Sequence, residues 1–437
     1  MNPTNADSRK PPARPRLESL DQFRGYAVAS MVVVNFLGAF AVTPRVLRHT
    51  NDYCSYADTV MPHFLFAVGF ALAIVWGRTA TSGADSQRRT QWRLVRRSLT
   101  LAAVAFLLYF PWGTNNLTTQ FFEPSFWFSV FKRDWFQTLT HIAATTLWML
   151  PMLRWGLVGR SVWLATSALL HACLSEEFYF HWVHASPGGI DGGPLGFLTW
   201  LIPASMGLWA GEAMQRLDPR TLEALPLASA KKTLRAKCLL VACVLMLLGY
   251  SMSCFTRHFD RNDRGIESSQ KLAESPVLGV GFPTDSENND SGNNDSGKND
   301  SGTPHASSSG AWQHFLAEPP FVPPPSYPKR AWNYWMMSQK AGALSYQIFA
   351  GGLSLLVFLI FDWASERFRS RWNPLTTLGR NAIACYIAHG FLIDAISSGW
   401  LQKTSPESHV LLGLFLVLSA TFGLAKFLEW RGIFLRL

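Results

Sequence analysis

Long apolar runs, separated by short polar stretches, recur along the whole chain. They fall near 25–44, 59–77, 96–113, 135–153, 157–174, 195–214, 236–256, 342–362, 376–397 and 409–429. Each is close to the roughly 20 helical residues that cross a bilayer core of about 30 Å. The pattern predicts an all-α polytopic membrane protein with ten transmembrane helices, or eleven if the proline-interrupted stretches are divided differently.

Composition agrees with the pattern. Of 437 residues, 48% are hydrophobic, 14% aromatic and only 16% charged, with 18 tryptophans. Ordinary soluble domains carry about 25% charged residues. Soluble multidomain, collagenous, coiled-coil, disulfide-framework and wholly disordered classes are therefore excluded.

The net charge of +10 could point to nucleic acid, but its distribution points to membrane topology instead. A cytoplasmic N-terminus puts 25 Lys and Arg on one side, among them Arg9 to Arg24, Arg78 to Arg97, Arg216 to Lys237 and Arg367 to Arg371. The opposite short loops hold five: Arg45, Arg48, Lys132, Arg133 and Lys403. Both termini are expected in the cytoplasm, and no nucleic-acid partner is expected.

Four regions follow. Residues 1–19 form a polar cytoplasmic tail without the apolar stretch of a cleavable signal peptide. Residues 20–256 form a lobe of about seven helices, 257–341 an exterior loop, and 342–437 a lobe of about three helices. Within the loop, Asn-Asp-Ser-Gly recurs from Asn289, Asn294 and Asn299. That tract has nothing to bury against the entropy of ordering and reads as a disordered linker. The six cysteines, Cys54, Cys173, Cys238, Cys243, Cys254 and Cys385, show no Cys-x-x-Cys spacing, so no metal site is expected. Cys54, Cys173 and Cys254 would lie near the exterior, where one disulfide competes with a reading of all three as packing thiols.

Polar groups inside apolar spans are costly and carry the candidate chemistry. Asn35 lies about 20° from Arg24 and about 40° from Asp21 on a helical wheel, and about 16 Å from Arg24 along the axis. Asp21, Arg24 and Asn35 would thus form a polar stripe running from the cytoplasmic mouth to mid-membrane. An interfacial Asp21–Arg24 ion pair and an interhelix bond by Asn35 are the plainer alternatives. His49 falls in the exterior loop and Asp58 at the entrance of the second span. A carboxylate that fixes the imidazole tautomer makes a general base; the alternative is a solvated loop histidine. His63 reads equally as a packing group. In the ninth span Asn381, Cys385 and His389 share one face, with Arg380 at its cytoplasmic end, and that face could instead close on a neighbouring helix.

The segment RLESLDQFRGYAVASMVVVNF, then His49, then YADTVMPHFLFAVG resembles the N-terminal signature of the heparan-alpha-glucosaminide N-acetyltransferase family of transmembrane acyltransferases. The matching positions are Arg16, Leu17, Ser19, Asp21, Phe23, Arg24, Gly25, Asn35, His49, Ala57, Asp58, Pro62, Phe64, Phe66 and Gly69. DWFQTL from Asp134, DGGPLGFLTWLIPASMGLWAG from Asp191, Lys340 with LSY, and GRNAIACYIAH from Gly379 resemble later family segments. Here Gln137 is not followed by Arg, and Pro194 is not followed by Glu.

The resemblance implies transfer of an acetyl group from cytoplasmic acetyl-CoA to an amine or hydroxyl acceptor on the exterior, a glycan or amino sugar. It implies catalytic roles for His49, Asn35 and Asp58, coenzyme-binding roles for Asp21, Arg24, Arg380, Asn381 and His389, and no metal. A homodimer is compatible with it, and the expected location is a bacterial inner (plasma) membrane. A secondary transporter or channel using intramembrane Asp, His and Asn is the competing class, although no repeated half or matched pair of broken helices accompanies those residues.

Overall fold

The computed structural model describes residues 17–50, 52–79, 83–113, 117–216, 227–259, 315–323, 332–368 and 374–435. The expected disorder of the Asn-Asp-Ser-Gly tract and most of the N-terminal tail lie outside the described residues. All regular structure among the described residues is helical.

Each of the ten apolar runs lies at least partly in helix. The main helices are α1 (Glu18–Leu37), α2 (Val60–Gly77), α3 (Ala84–Tyr109), α4 (Thr138–Met149), α5 (Leu157–Leu174), α6 (Phe197–Gln215), α7 (Leu227–Ser253), α8 (Leu344–Arg367), α9 (Pro374–Arg380), α10 (Ala382–Ser397) and α11 (Glu407–Trp430). Among the described residues, 5 spans are long and apolar enough to cross a membrane by length and composition. They comprise α2, α5, α7, α8 and α11 with flanking turns, and α10 is a shorter apolar helix. The chain is an integral membrane protein.

Three boundaries differ from the hydropathy reading. α1 begins seven residues earlier than the apolar run and ends at Leu37, where Gly38 and the turn after it break the helix. Asn35 is consequently in the last turn of α1, not halfway along it. Its first turn can be polar because Ser19, Asp21 and Gln22 are buried by neighbouring helices. α3 starts at Ala84 rather than near 96, since its arginines are good helix formers and stay exposed. The ninth run is broken at Asn381, which leaves helical geometry between α9 and α10.

Packing sorts the helices into inner and outer ones. In the apolar window of α2, 72% of residues are buried, against 17% in those of α5 and α7. Outward stripes such as Leu240, Val244 and Leu247 on α7, and Leu411 and Phe415 on α11, are exposed and suit lipid. Inside, small residues let backbones touch. A Cβ on Gly69 of α2 would stand 1.8 Å from the Ala204 carbonyl oxygen of α6, and one on Gly207 would stand 1.9 Å from that of Phe66. α1 and α9 meet the same way at Gly25 and Gly379.

The bundle has two chemically different ends. One end gathers ion pairs: Arg160–Glu212, Arg235–Asp362 and Arg380–Glu429, each 2.6 Å at its shortest contact. At the other end, the loops before α2, α6 and α8 converge on a group of buried polar side chains. The six cysteines are all free, so no disulfide links Cys54, Cys173 and Cys254; Cys54 is a buried thiol in the core.

Candidate functional site

His49 follows a short 3-10 turn (Arg45–Leu47) in the loop after α1. That loop is pinned by Arg48, whose Nη2 donates to the Phe40 and Ala41 carbonyls at 2.7 and 2.6 Å. Asp58 lies in the 3-10 turn Ala57–Thr59 that leads into α2. The two side chains meet: His49 Nδ1 donates to Asp58 Oδ1 at 2.9 Å.

Asp58 is wholly buried, and its second oxygen, Oδ2, accepts from the Ser55 amide at 2.9 Å and the Ser55 hydroxyl at 2.8 Å. Tyr346 of α8 donates its hydroxyl to the Asp58 backbone carbonyl. These contacts hold the carboxylate rigidly. The bond through Nδ1 fixes the tautomer and leaves Nε2 of a half-exposed ring as the proton acceptor.

A second carboxylate stands close by. Asp191 is buried, sits at a left-handed φ of 55°, and accepts at Oδ1 from Gln339 Nε2 at 2.6 Å and at Oδ2 from Thr138 Oγ1 at 3.3 Å. Its backbone carbonyl accepts from Trp200 Nε1 at 2.7 Å. Burial pushes the Asp191 carboxyl up to about 6, against the opposing pull of His49, Gln339 and Thr138. The His49 pKa is raised: burial works to lower it, and the Asp58 hydrogen bond and charge, helped by Asp191 and Gln339, outweigh burial. The arrangement is an imidazole held by one carboxylate, with a second carboxyl of raised pKa close by.

Asn35 belongs to a neighbouring pair. His389 Nδ1 donates to the Tyr386 carbonyl, so its Nε2 must accept, and Asn35 Nδ2 donates to that Nε2 at 3.0 Å. The amide keeps its second N–H for another acceptor. Tyr386 also shares a 2.7 Å hydroxyl contact with Tyr109.

The remaining expected residues are at the opposite end. Asp21 is buried on α1, with its Oδ2 4.0 Å from Arg380 Nε. Arg380 Nη1 reaches Glu429 Oε1 at 2.6 Å, and Thr377 and Lys426 both donate to Glu429 Oε2 at 3.0 Å. Arg24 lies on α1, one turn beyond Asp21. Asn381 is fully buried at the α9–α10 break and donates to the Ala425 carbonyl at 3.2 Å. Its Oδ1 and Arg380 Nε are buried without a hydrogen-bond partner among the described residues. Glu429 takes only the Nη1 group of Arg380, so an anionic ligand at this donor set would share the guanidinium charge with Glu429.

Sequence reading singled out neither Ser55, Gln339 and Tyr346 at one end nor Glu429 at the other, and it gave Asp191 no role. Asp191, Lys340 beside Gln339, and Tyr346 fall within the family-like segments, which was the available signal. Among the described residues no three His, Cys, Asp or Glu side chains gather as a metal site.

A bundle of apolar helices with a histidine oriented by a buried carboxylate among its loops defines a class of integral membrane protein. The catalytic-domain model of heparan-alpha-glucosaminide N-acetyltransferase matches residues 16–252, and the chain belongs to that family of membrane acyltransferases. The matched region contains Asp21, Arg24, Asn35, His49, Asp58 and Asp191, while Arg380, Asn381 and His389 lie beyond it. No curated protein matches the chain.

Proposed function

We propose that the protein moves an acetyl group from acetyl-CoA to an amine or hydroxyl acceptor, a glycan or amino sugar, with His49 as the base. The observation that carries this reading is the 2.9 Å bond from His49 Nδ1 to a fully buried Asp58, which turns Nε2 into a directed acceptor. The acceptor's N–H or O–H gives its proton to Nε2 as its nitrogen or oxygen attacks the thioester carbonyl; the C–S bond then breaks, and coenzyme A leaves as the thiol by taking that proton back from the imidazolium. Charge developing on that carbonyl oxygen is met by the free N–H of Asn35, which His389 holds in place. Gln339, whose Oε1 has no hydrogen-bond partner among the described residues, is the group offered to the acceptor's polar groups, with Asp191 behind it.

Acetyl-CoA supplies the activated acetyl group. Its phosphates are anions, for which Arg24 and Arg380 are the matching cations, with Asp21 and Asn381 beside them. The asymmetry of Lys and Arg supports a cytoplasmic position for that end and for both termini, with His49 outside. A bacterial inner membrane and a homodimer fit the same reading.

The test is transfer of labelled acetyl from acetyl-CoA to a panel of amino sugars and neutral glycans by the purified chain. Label should appear on one acceptor with the unsubstituted protein and on none with His49→Ala, which should still bind acetyl-CoA. Failure of the unsubstituted protein to bind the thioester would sink the reading and leave a transport role.

A further inference from the structure

The first half of α3 carries a run of cations that the catalytic reading does not use. Arg88, Arg89, Arg93 and Arg96 are exposed, and none forms an ion pair with a described residue. Asp85 is the only carboxylate on the helix. Among the arginines stands Trp92, 67% exposed.

The direction in which these side chains point is decided by the rest of the same helix. Measured from Arg88 at 100° per residue, Trp92, Arg96, Arg89 and Arg93 lie within about 140° of arc. Leu99, Ala103 and Leu107, at about 20°, 60° and 100°, fall in the same arc. Leu99 and Leu107 are 56% and 60% exposed, whereas Thr90, Leu94, Ser98 and Ala105, on the opposite side, are buried. One outward stripe therefore changes from basic to apolar along a continuous helix, with a tryptophan about 10 Å before the first exposed leucine.

An apolar stripe facing outward in an integral membrane protein contacts acyl chains. The basic part of the stripe then lies at the height of the lipid headgroups, where tryptophan anchors and arginine pairs with phosphate. A nucleotide entering the bundle would need these cations on the inner face, where Thr90 and Leu94 are instead.

We propose that the outer face of α3 from Arg88 to Arg96 is a binding site for anionic phospholipid headgroups. Guanidinium groups would pair with the lipid phosphate and headgroup charges, while Trp92 lies against the glycerol region and Leu99 and Leu107 against the chains. The site is independent of the acyl-transfer reading.

Native mass spectrometry of the full-length protein, loaded with equal phosphatidylglycerol and phosphatidylcholine, tests this directly. The unsubstituted protein should retain phosphatidylglycerol preferentially, and raised salt should erase the preference. The combined Arg88→Gln, Arg89→Gln, Arg93→Gln and Arg96→Gln variant should lose that preference by about tenfold or more, with phosphatidylcholine retention and acetyl-CoA binding unchanged. Equal retention of both lipids by the unsubstituted protein, which requires no variant to fold, overturns the proposal. So does a variant that keeps its phosphatidylglycerol and loses acetyl-CoA instead.

Discussion

Asp58 spends one carboxylate oxygen on His49 and the other on Ser55, so neither is left for solvent or substrate. Replacing His49 by Ala removes the base and no packed side chain, since the ring is half exposed. Transfer should fall by about 10²–10⁴-fold, with detergent-extracted yield and acetyl-CoA binding retained. Near-normal acetyl transfer by the variant would remove His49 from the mechanism.

The pH dependence follows from the raised His49 pKa. A base works only when deprotonated, so kcat/KM should rise with pH through a limb above the ordinary histidine value of about 6.5. Asp58→Asn removes the charge that favours the imidazolium. The limb should move to lower pH as the maximum rate falls. A profile measured on both proteins with the same acceptor checks the direction; an unmoved or upward-moving limb contradicts the assignment.

At the opposite end Arg380 is paired with Glu429, and in the proposed reading it also meets the coenzyme's phosphates. Arg380→Gln should weaken acetyl-CoA binding by about 1–3 kcal/mol, the size of a charged hydrogen bond. Glu429→Gln should strengthen binding, because the guanidinium is released. Calorimetric titration of both variants reads opposite signs; loosened binding in both would mean the pair only holds α9 to α11.

Gly69 and Gly207 predict a stability effect without a catalytic one. Gly69→Ala drives a Cβ to 1.8 Å from the Ala204 carbonyl oxygen and should cost about 3 kcal/mol or more by forcing α2 and α6 apart. Gly390→Ala meets nothing within 4 Å and should melt like the unsubstituted protein. Thermal unfolding in detergent compares the two.

The helical class and the approximate positions of the spans could be read from hydropathy because lipid exposure demands continuous apolar runs. The ends of α1 and α3 could not. Buried Asp21 and Gln22 look like loop residues until α9 covers them, and the α3 arginines look like loop residues until a helix is seen to carry them. His49 and Asp58 could be linked in the sequence because they are near neighbours in the chain. Asp191 and Gln339, 148 residues apart, could not, since only the convergence of two loops brings them together. Glu429 was invisible for the same reason: its role exists only where α11 returns beside α9.

The close approach of α1 and α9 also fixes an order of assembly. A Cβ on Gly25 would lie 1.8 Å from the Leu375 carbonyl oxygen, and one on Gly379 would lie 1.7 Å from that of Asp21. α1 therefore has a seat shaped for a helix that lies far along the chain, and stays open on that side until α9 has been synthesised. A nascent chain released before α9 would already hold the His49–Asp58 loop but could not form the Asp21–Arg380–Glu429 end. It would present to the membrane's quality control an α1 with its glycine notch and buried carboxylate uncovered.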